Sequence, residues 1–229
     1  MGTILTTRDL EILDVLTRRV RVLSFPQIAR TWWADSGDSA RVAENRLRLL
    51  LAEKLLHIER APAHPELQLQ KPVVVWELGA PAPDFAAASY RLQSRWRDHP
   101  ILTTCISASK TAANRFGGYG GRPPRAVERT HDIHMAQLFL LYRNQVPELA
   151  KIWVFEEQVK AERKRAARSD RLHGSLPSYA SNANEKLPDA FVRSKSGTRV
   201  IEFGGAYGKD KLNAFHGYCK EHSFSYEIW

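Results

Sequence analysis

Leu187-Pro-Asp-Ala-Phe-Val-Arg193, a Ser194-Lys-Ser-Gly197 turn and Thr198-Arg-Val-Ile-Glu-Phe-Gly-Gly205 form the stretch on which the reading of the chain turns. Apolar residues alternate on both sides of a glycine-bearing turn, which predicts a β-hairpin. Its acids are unusual. Asp189 opens the first strand directly after Pro188, and Glu202 lies between Ile201 and Phe203 in the second. A carboxylate inside an apolar strand is costly unless it is paired, hydrogen-bonded or metal-bound. Two carboxylates on neighbouring strands can hold one Mg²⁺ between them.

The surrounding chain is 229 residues long, enough for one or two domains with a sizeable core. Its 34 Lys and Arg outnumber 25 Asp and Glu, for a net charge of +9. That balance points to a polyanionic partner, nucleic acid first. The two cysteines, Cys105 and Cys219, have no zinc-ligand spacing, so a reducing cytoplasm is expected. The first residues lack the basic start and apolar run of a signal peptide. No apolar stretch approaches the roughly 20 residues of a membrane span, so no membrane partner is expected.

Towards the N-terminus, Thr6 with Asp9 has the spacing of a capping box. Leu10, Leu13, Leu16 and Val20 follow at helical intervals and predict a helix from Thr7 to about Arg19. Ser24 and Gln27 cap a second helix that tolerates Pro26 in its first turn. A third is expected from Ser39 to about Lys54, with an apolar stripe of Ala43, Leu47, Leu50 and Leu51. Its other face carries Arg41, Glu44, Asn45 and Arg48, and Arg and Asn are the side chains that read guanine and adenine edges in the major groove. Leu56 to Arg60 and Val73 to Leu78 read as two strands. Three helices followed by a hairpin predict a winged helix-turn-helix over 1–80, with the Ala61–Lys71 loop, including His64 and Lys71, as the wing on DNA.

Residues 81–125 read as a helical connector and a Gly-rich linker. A helix runs from Asp84 through Trp96. Arg115 to Arg125 is glycine-rich and basic and carries Phe116 and Tyr119. Without the Gly-Lys-Ser/Thr ending of a phosphate loop it is no nucleotide site. It reads as a mobile connector, with an arm that stacks on nucleic acid as the alternative. Beyond it come a helix from Thr130 to about Asn144, a strand from Lys151 to Glu156, and a basic run holding Lys160, Arg163, Lys164, Arg165, Arg168 and Arg171, a candidate phosphate contact. Leu172 to Lys186 reads as polar loop. After the hairpin, a helix over Lys209–His222 and a last strand from Phe224 complete the chain.

The order helix, three strands, helix, strand over 126–229 resembles the core of the PD-(D/E)XK nuclease superfamily, with Pro188-Asp189 and Glu202 where that motif places its acids. In active members a lysine stands two residues beyond the second acid; here that position is Gly204. Lys209, Lys211 and His131 are the remaining candidates to complete a site. Together with Leu5-Thr6-Thr7-Arg8-Asp9, Arg46-Leu47-Arg48-Leu49-Leu50 and Lys54-Leu55-Leu56, these residues make the chain resemble the replication-relaxation family of plasmids and integrative elements. The resemblance implies an α+β protein, a winged helix-turn-helix followed by an α/β nuclease-like domain with a small mixed sheet. It implies a non-catalytic DNA-binding protein that regulates transcription or assists replication or transfer of a mobile element. Double-stranded DNA, a second copy of the chain, and a relaxase or replication protein are the partners to expect. The alternatives are a Mg²⁺-dependent endonuclease using Asp189 and Glu202, and a recruitment module. No cofactor is expected otherwise, and Mg²⁺ only if the acid pair is active.

Overall fold

The computed structural model describes residues 3–172, 187–195 and 197–229, with side chains throughout except at 166–172. The fold is mixed α+β, built on two sheets that share one central helix. Helix α1 (Thr7–Arg18) starts at the expected capping box, with the Thr6 hydroxyl accepting from the Asp9 N–H. A strand, β1 (Leu23–Ser24), leads to α2 (Phe25–Trp32), which is capped reciprocally by Ser24 and Gln27. Helix α3 (Ser39–Ala52) buries Ala43, Leu47 and Leu50. Leu51, expected in that stripe, is 43% exposed because α2 covers only a narrow seam of α3.

The strands pair differently from the expected hairpin. Strand β2 (Leu56–Ala63) does not meet β3 (Val74–Trp76). It pairs antiparallel along its whole length with β4 (Ile101–Ala108), from Leu56↔Ala108 to Ala63↔Ile101, and β1 adds to the other edge of β4. Strand β3 instead forms an edge of the second sheet, antiparallel to β8 (Ser225–Ile228). The loop expected as a free wing is therefore the start of an excursion over 64–100. It lays β3 and α4 (Phe85–Ser94) on the C-terminal half before returning as β4. The segment read as a connector supplies the central strand of the first sheet. Leu102, Thr103 and Thr104 gave β4 little apolar periodicity, and only its second half, Cys105 to Ala108, is buried.

The glycine-rich stretch is also docked rather than free. After α5 (Lys110–Phe116), the Tyr119 N–H donates to Thr17 O at 2.6 Å and the Gly121 N–H to Ala108 O at 2.9 Å. A Cβ at Gly118, where φ is +86°, would stand 2.2 Å from Thr17 O, so the close approach to the end of α1 requires glycine.

Helix α6 (Arg129–Gln145) begins one residue before Thr130, without a side-chain cap. The Thr130 hydroxyl instead accepts from the His64 N–H. After α7 (Pro147–Lys151) and β5 (Trp153–Phe155), the basic run lies on α8 (Glu156–Leu172), a helix that begins at the acidic pair Glu156-Glu157. The predicted loop up to Lys186 lies outside the described residues beyond α8. Strands β6 (Ala190–Ser194) and β7 (Gly197–Glu202) form the expected hairpin, and α9 (Lys209–Glu221) leads to β8. The second sheet has the order β3-β8-β7-β6-β5, parallel only between β7 and β8.

Ala190 pairs with Ile201. Ala190, Val192, Ile201 and Phe203 join the core shared with α6 and the N-terminal helices, whereas Phe191, Val200 and Tyr226 join Leu92 of α4 and Leu212 of α9. Helix α6 is buried on most of its circumference, from Ile133 through Tyr142. That is the pattern of a helix enclosed by its fold.

One ion pair ties α1 to α3. Asp9 is fully buried, and Arg46 donates to it through Nε at 2.8 Å and again through Nη2, which also reaches Ile4 O. Burial raises the Asp9 carboxyl, but Arg46 and Thr6 outweigh it and hold it below the usual range. Removing one partner of a buried pair strands the other. Arg46→Ala should therefore cost about 3 kcal/mol in urea unfolding, and Asp9→Asn in the same background should recover part of that loss.

Candidate nucleic-acid interface and buried acid pair

The four polar residues predicted on the third helix share one exposed face. Arg41 is paired with Asp38 at its own N-cap (3.0 Å) and Arg48 with Glu44 one turn away (2.6 Å). The two arginine side chains remain 74% and 69% exposed. Such exposed pairs contribute little to stability and exchange readily for other anions. Arg41 and Asn45 border a cleft against Arg8 and Trp33, while Glu44 and Arg48 border a second, of about 450 Å³, against Arg60 of β2 and Thr104 of β4. Arg60 is a candidate the sequence reading missed; only the β2–β4 register brings it beside α3.

The remaining DNA-binding candidates are dispersed. His64 is half-buried, with its Nδ1 2.8 Å from Asp98 O and its ring edge-on to Trp96, which takes it away from α3. Lys71 is exposed on the excursion. Arg163 is half-buried, Lys164 and Arg165 are exposed on α8, and the Arg168 side chain lies outside the described residues.

Where β6 begins and β7 ends the acids do meet. The Asp189 N–H donates to Glu202 Oε2 at 3.2 Å, and Asp189 Oδ2 accepts from the Phe203 N–H at 2.9 Å. The Glu202 side chain is completely buried, and the Tyr207 hydroxyl donates to its Oε1 at 2.5 Å. Burial and the neighbouring Glu202 and Asp189 carboxylates push the Tyr207 hydroxyl far above its ordinary range, so it stays a donor. A tyrosine five residues on, in the turn Gly204–Gly208, thus partners Glu202.

Lys211 places its ammonium 3.5 Å from the centre of the Tyr207 ring. Lys209 is exposed at the start of α9. His131 binds Asp189 through Nε2 at 2.9 Å and faces Asp132 through Nδ1 at 3.4 Å.

Gly204, two residues beyond Glu202, is closely covered. A Cβ there would stand 2.9 Å from both methyls of Leu92 and from Ile228 Cγ2. The excursion has put the apolar side of α4 against this position. Each acid already accepts from protein donors, whereas Mg²⁺ requires carboxylate oxygens with open coordination and several waters. Among the described residues no group of three or more His, Cys, Asp or Glu side chains is placed to hold a metal.

No known family model, curated protein or solved structure matches this chain.

Next to the acid pair, Arg21 joins three elements. It reaches Glu128 at 2.8 Å, Asp132 at 3.3 Å and Glu157 at 2.7 Å. Burial lowers the guanidinium, but the acids around it raise it further, so it remains charged.

Two histidines one turn apart on α6 respond to pH in opposite ways. His134 donates from Nδ1 to Thr130 O (2.6 Å), accepts from the Leu67 N–H (3.2 Å) and stacks on Phe203. Burial pulls it down to about 4. Burial also disfavours charge on His131, but Asp189 and Asp132 outweigh it and hold His131 well above the ordinary histidine range. The His134 contribution to stability is therefore complete above about pH 6.5 and lost as the pH falls towards 4. The His131 contribution is complete below about pH 6.5 and lost as the pH rises through its raised value.

His134→Gln should flatten the acid limb of the urea midpoint against pH, and His131→Gln the alkaline limb. Gly204→Lys should lower stability by about 3 kcal/mol through overpacking against Leu92 and confer no nicking of supercoiled DNA in Mg²⁺.

Proposed function

We propose that this chain is a non-catalytic protein that binds double-stranded DNA through α3, in the manner of a winged helix-turn-helix. The observation that carries the reading is the face of α3. Arg41, Glu44, Asn45 and Arg48 project together on a helix whose opposite side is anchored by Ala43, Leu47 and Leu50. Side chains of this kind on an exposed helix can exchange intrahelical pairs for base edges and phosphates at little cost. Strands β2 and β4 flank the helix as a wing would, with Arg60 beside Arg48. The charge of +9 supports a polyanionic partner.

In this reading the C-terminal half is a nuclease-like scaffold whose acid pair has become a hydrogen-bonded brace. Gly204, covered by Leu92, supports that loss of chemistry. On the resemblance to replication-relaxation proteins, the activity would lie in the cytoplasm on a plasmid or integrative element, in transcriptional control or as an accessory to replication or transfer. A second copy on a pseudo-palindromic site, or a relaxase or replication protein, would be its protein partner. No helix among the described residues is long and apolar enough to cross a membrane.

Selection of bound fragments from random duplex DNA, followed by footprinting with and without Mg²⁺, should yield a short protected site and no cleavage. The Arg41→Ala/Arg48→Ala double variant should lose specific retention by about a hundredfold, as expected for two base contacts, with an unchanged thermal midpoint. Retained specificity in that variant would remove α3 from the interface, and Mg²⁺-dependent nicking by the wild type would restore the acid pair to catalysis.

A further inference from the structure

Two stretches of the sequence that α3 does not use, the glycine-rich loop and the basic run, converge at the far end of α1. They enclose a polar cleft of about 420 Å³ bordered by Thr17 and Arg18 of α1, Gly118 and Tyr119 of the loop, and Gln158 and Arg165 of α8. The glycine loop is held rigidly there. Tyr119 donates its N–H to Thr17 O, and Arg18 Nη2 donates to Phe116 O at 2.6 Å. Tyr119 also packs edge-on against Phe155, which fixes its ring at the cleft wall.

The charges are asymmetric. Glu162 in the cleft is paired with Arg193, and Asp14 with Arg18, whereas Arg165 is exposed and pairs with no acid among the described residues. Arg18 keeps donors beyond those it uses and is 49% exposed.

We propose that this cleft is a second nucleic-acid site, specific for single strands, in which a base lies against Tyr119 and the adjoining phosphate is bound by Arg165 and Arg18. An aromatic wall beside basic side chains with donors to spare is how sequence-tolerant single-strand sites are built. The cleft is of a size to enclose one unstacked nucleotide, which a paired and stacked duplex does not offer. It opens beside the C-terminal end of α1, whereas Arg41 and Asn45 lie beside its N-terminal end. The 12 residues of α1 put about 16 Å between the two ends. The site is independent of the duplex-binding role of α3.

The test is fluorescence anisotropy of a labelled oligothymidylate at low salt. Arg165→Glu should weaken its binding about tenfold and flatten the salt dependence. Tyr119→Leu, which keeps apolar bulk but removes the aromatic face, should weaken it by a similar factor, with thermal midpoints confirming that both variants fold. The Arg41→Ala/Arg48→Ala variant should bind oligothymidylate as the wild type does.

Absence of oligothymidylate binding by the wild type would overturn the proposal, as would wild-type affinity in both cleft variants. Loss confined to duplex binding in Arg165→Glu would overturn it as well, by making the cleft a backbone contact for duplex DNA. Loss of oligothymidylate binding in the α3 variant would transfer single-strand binding to α3 and leave the cleft without a ligand.

Discussion

The structure depends on the enclosure of α6. One side of this helix packs on the first sheet and the N-terminal helices, and another on the face of the second sheet formed by Trp153, Ala190, Val192, Ile201 and Phe203. Polar side chains on α6 have little water to turn to, so each must be satisfied within the protein. His134 is satisfied by backbone on both ring nitrogens, Asp132 is drawn to Arg21 and His131, and Tyr142 donates to Glu227 at 2.6 Å. The two sheets are joined through this helix by packing and polar contacts together.

The same enclosure changes what the net charge means. Arg21, Arg46 and Arg199 are held in internal acid networks, and Arg19 and Arg95 donate to the carbonyls of Trp153 and Trp229. Burial lowers Arg95 to about 10 while its guanidinium lies 4.8 Å from the centre of the Phe203 ring. A good part of the basic excess is therefore structural. The arginines available to a polyanion are the fewer ones held only by exposed pairs, or by none.

Local features were legible from the sequence and distant ones were not. The capping boxes at Thr6 and Ser24 are written within four residues, and both form. The β6–β7 hairpin is likewise local, and so was the likelihood that its buried glutamate needed a partner. The pairing of β2 with β4 spans an excursion of more than thirty residues, and hydropathy carries no mark of which strand another will choose. Tyr207 escaped notice because a tyrosine in a glycine turn has no periodicity to betray a buried hydroxyl. The meaning of Gly204 depends on α4, whose Leu92 is more than a hundred residues away in the chain.

The excursion also governs how the protein can be made. As the chain is synthesised, β2 appears before its partner β4, and β3 must wait for β8, about 150 residues later. Neither sheet closes on contiguous sequence, so the chain has a high contact order and folding is slow. Until β8 is synthesised, the β8-facing edge of β3 stays open, a period in which chaperone protection matters most. Once β8 docks, it links the first hundred residues to the last five, and the two halves should unfold in a single cooperative step rather than as separate domains.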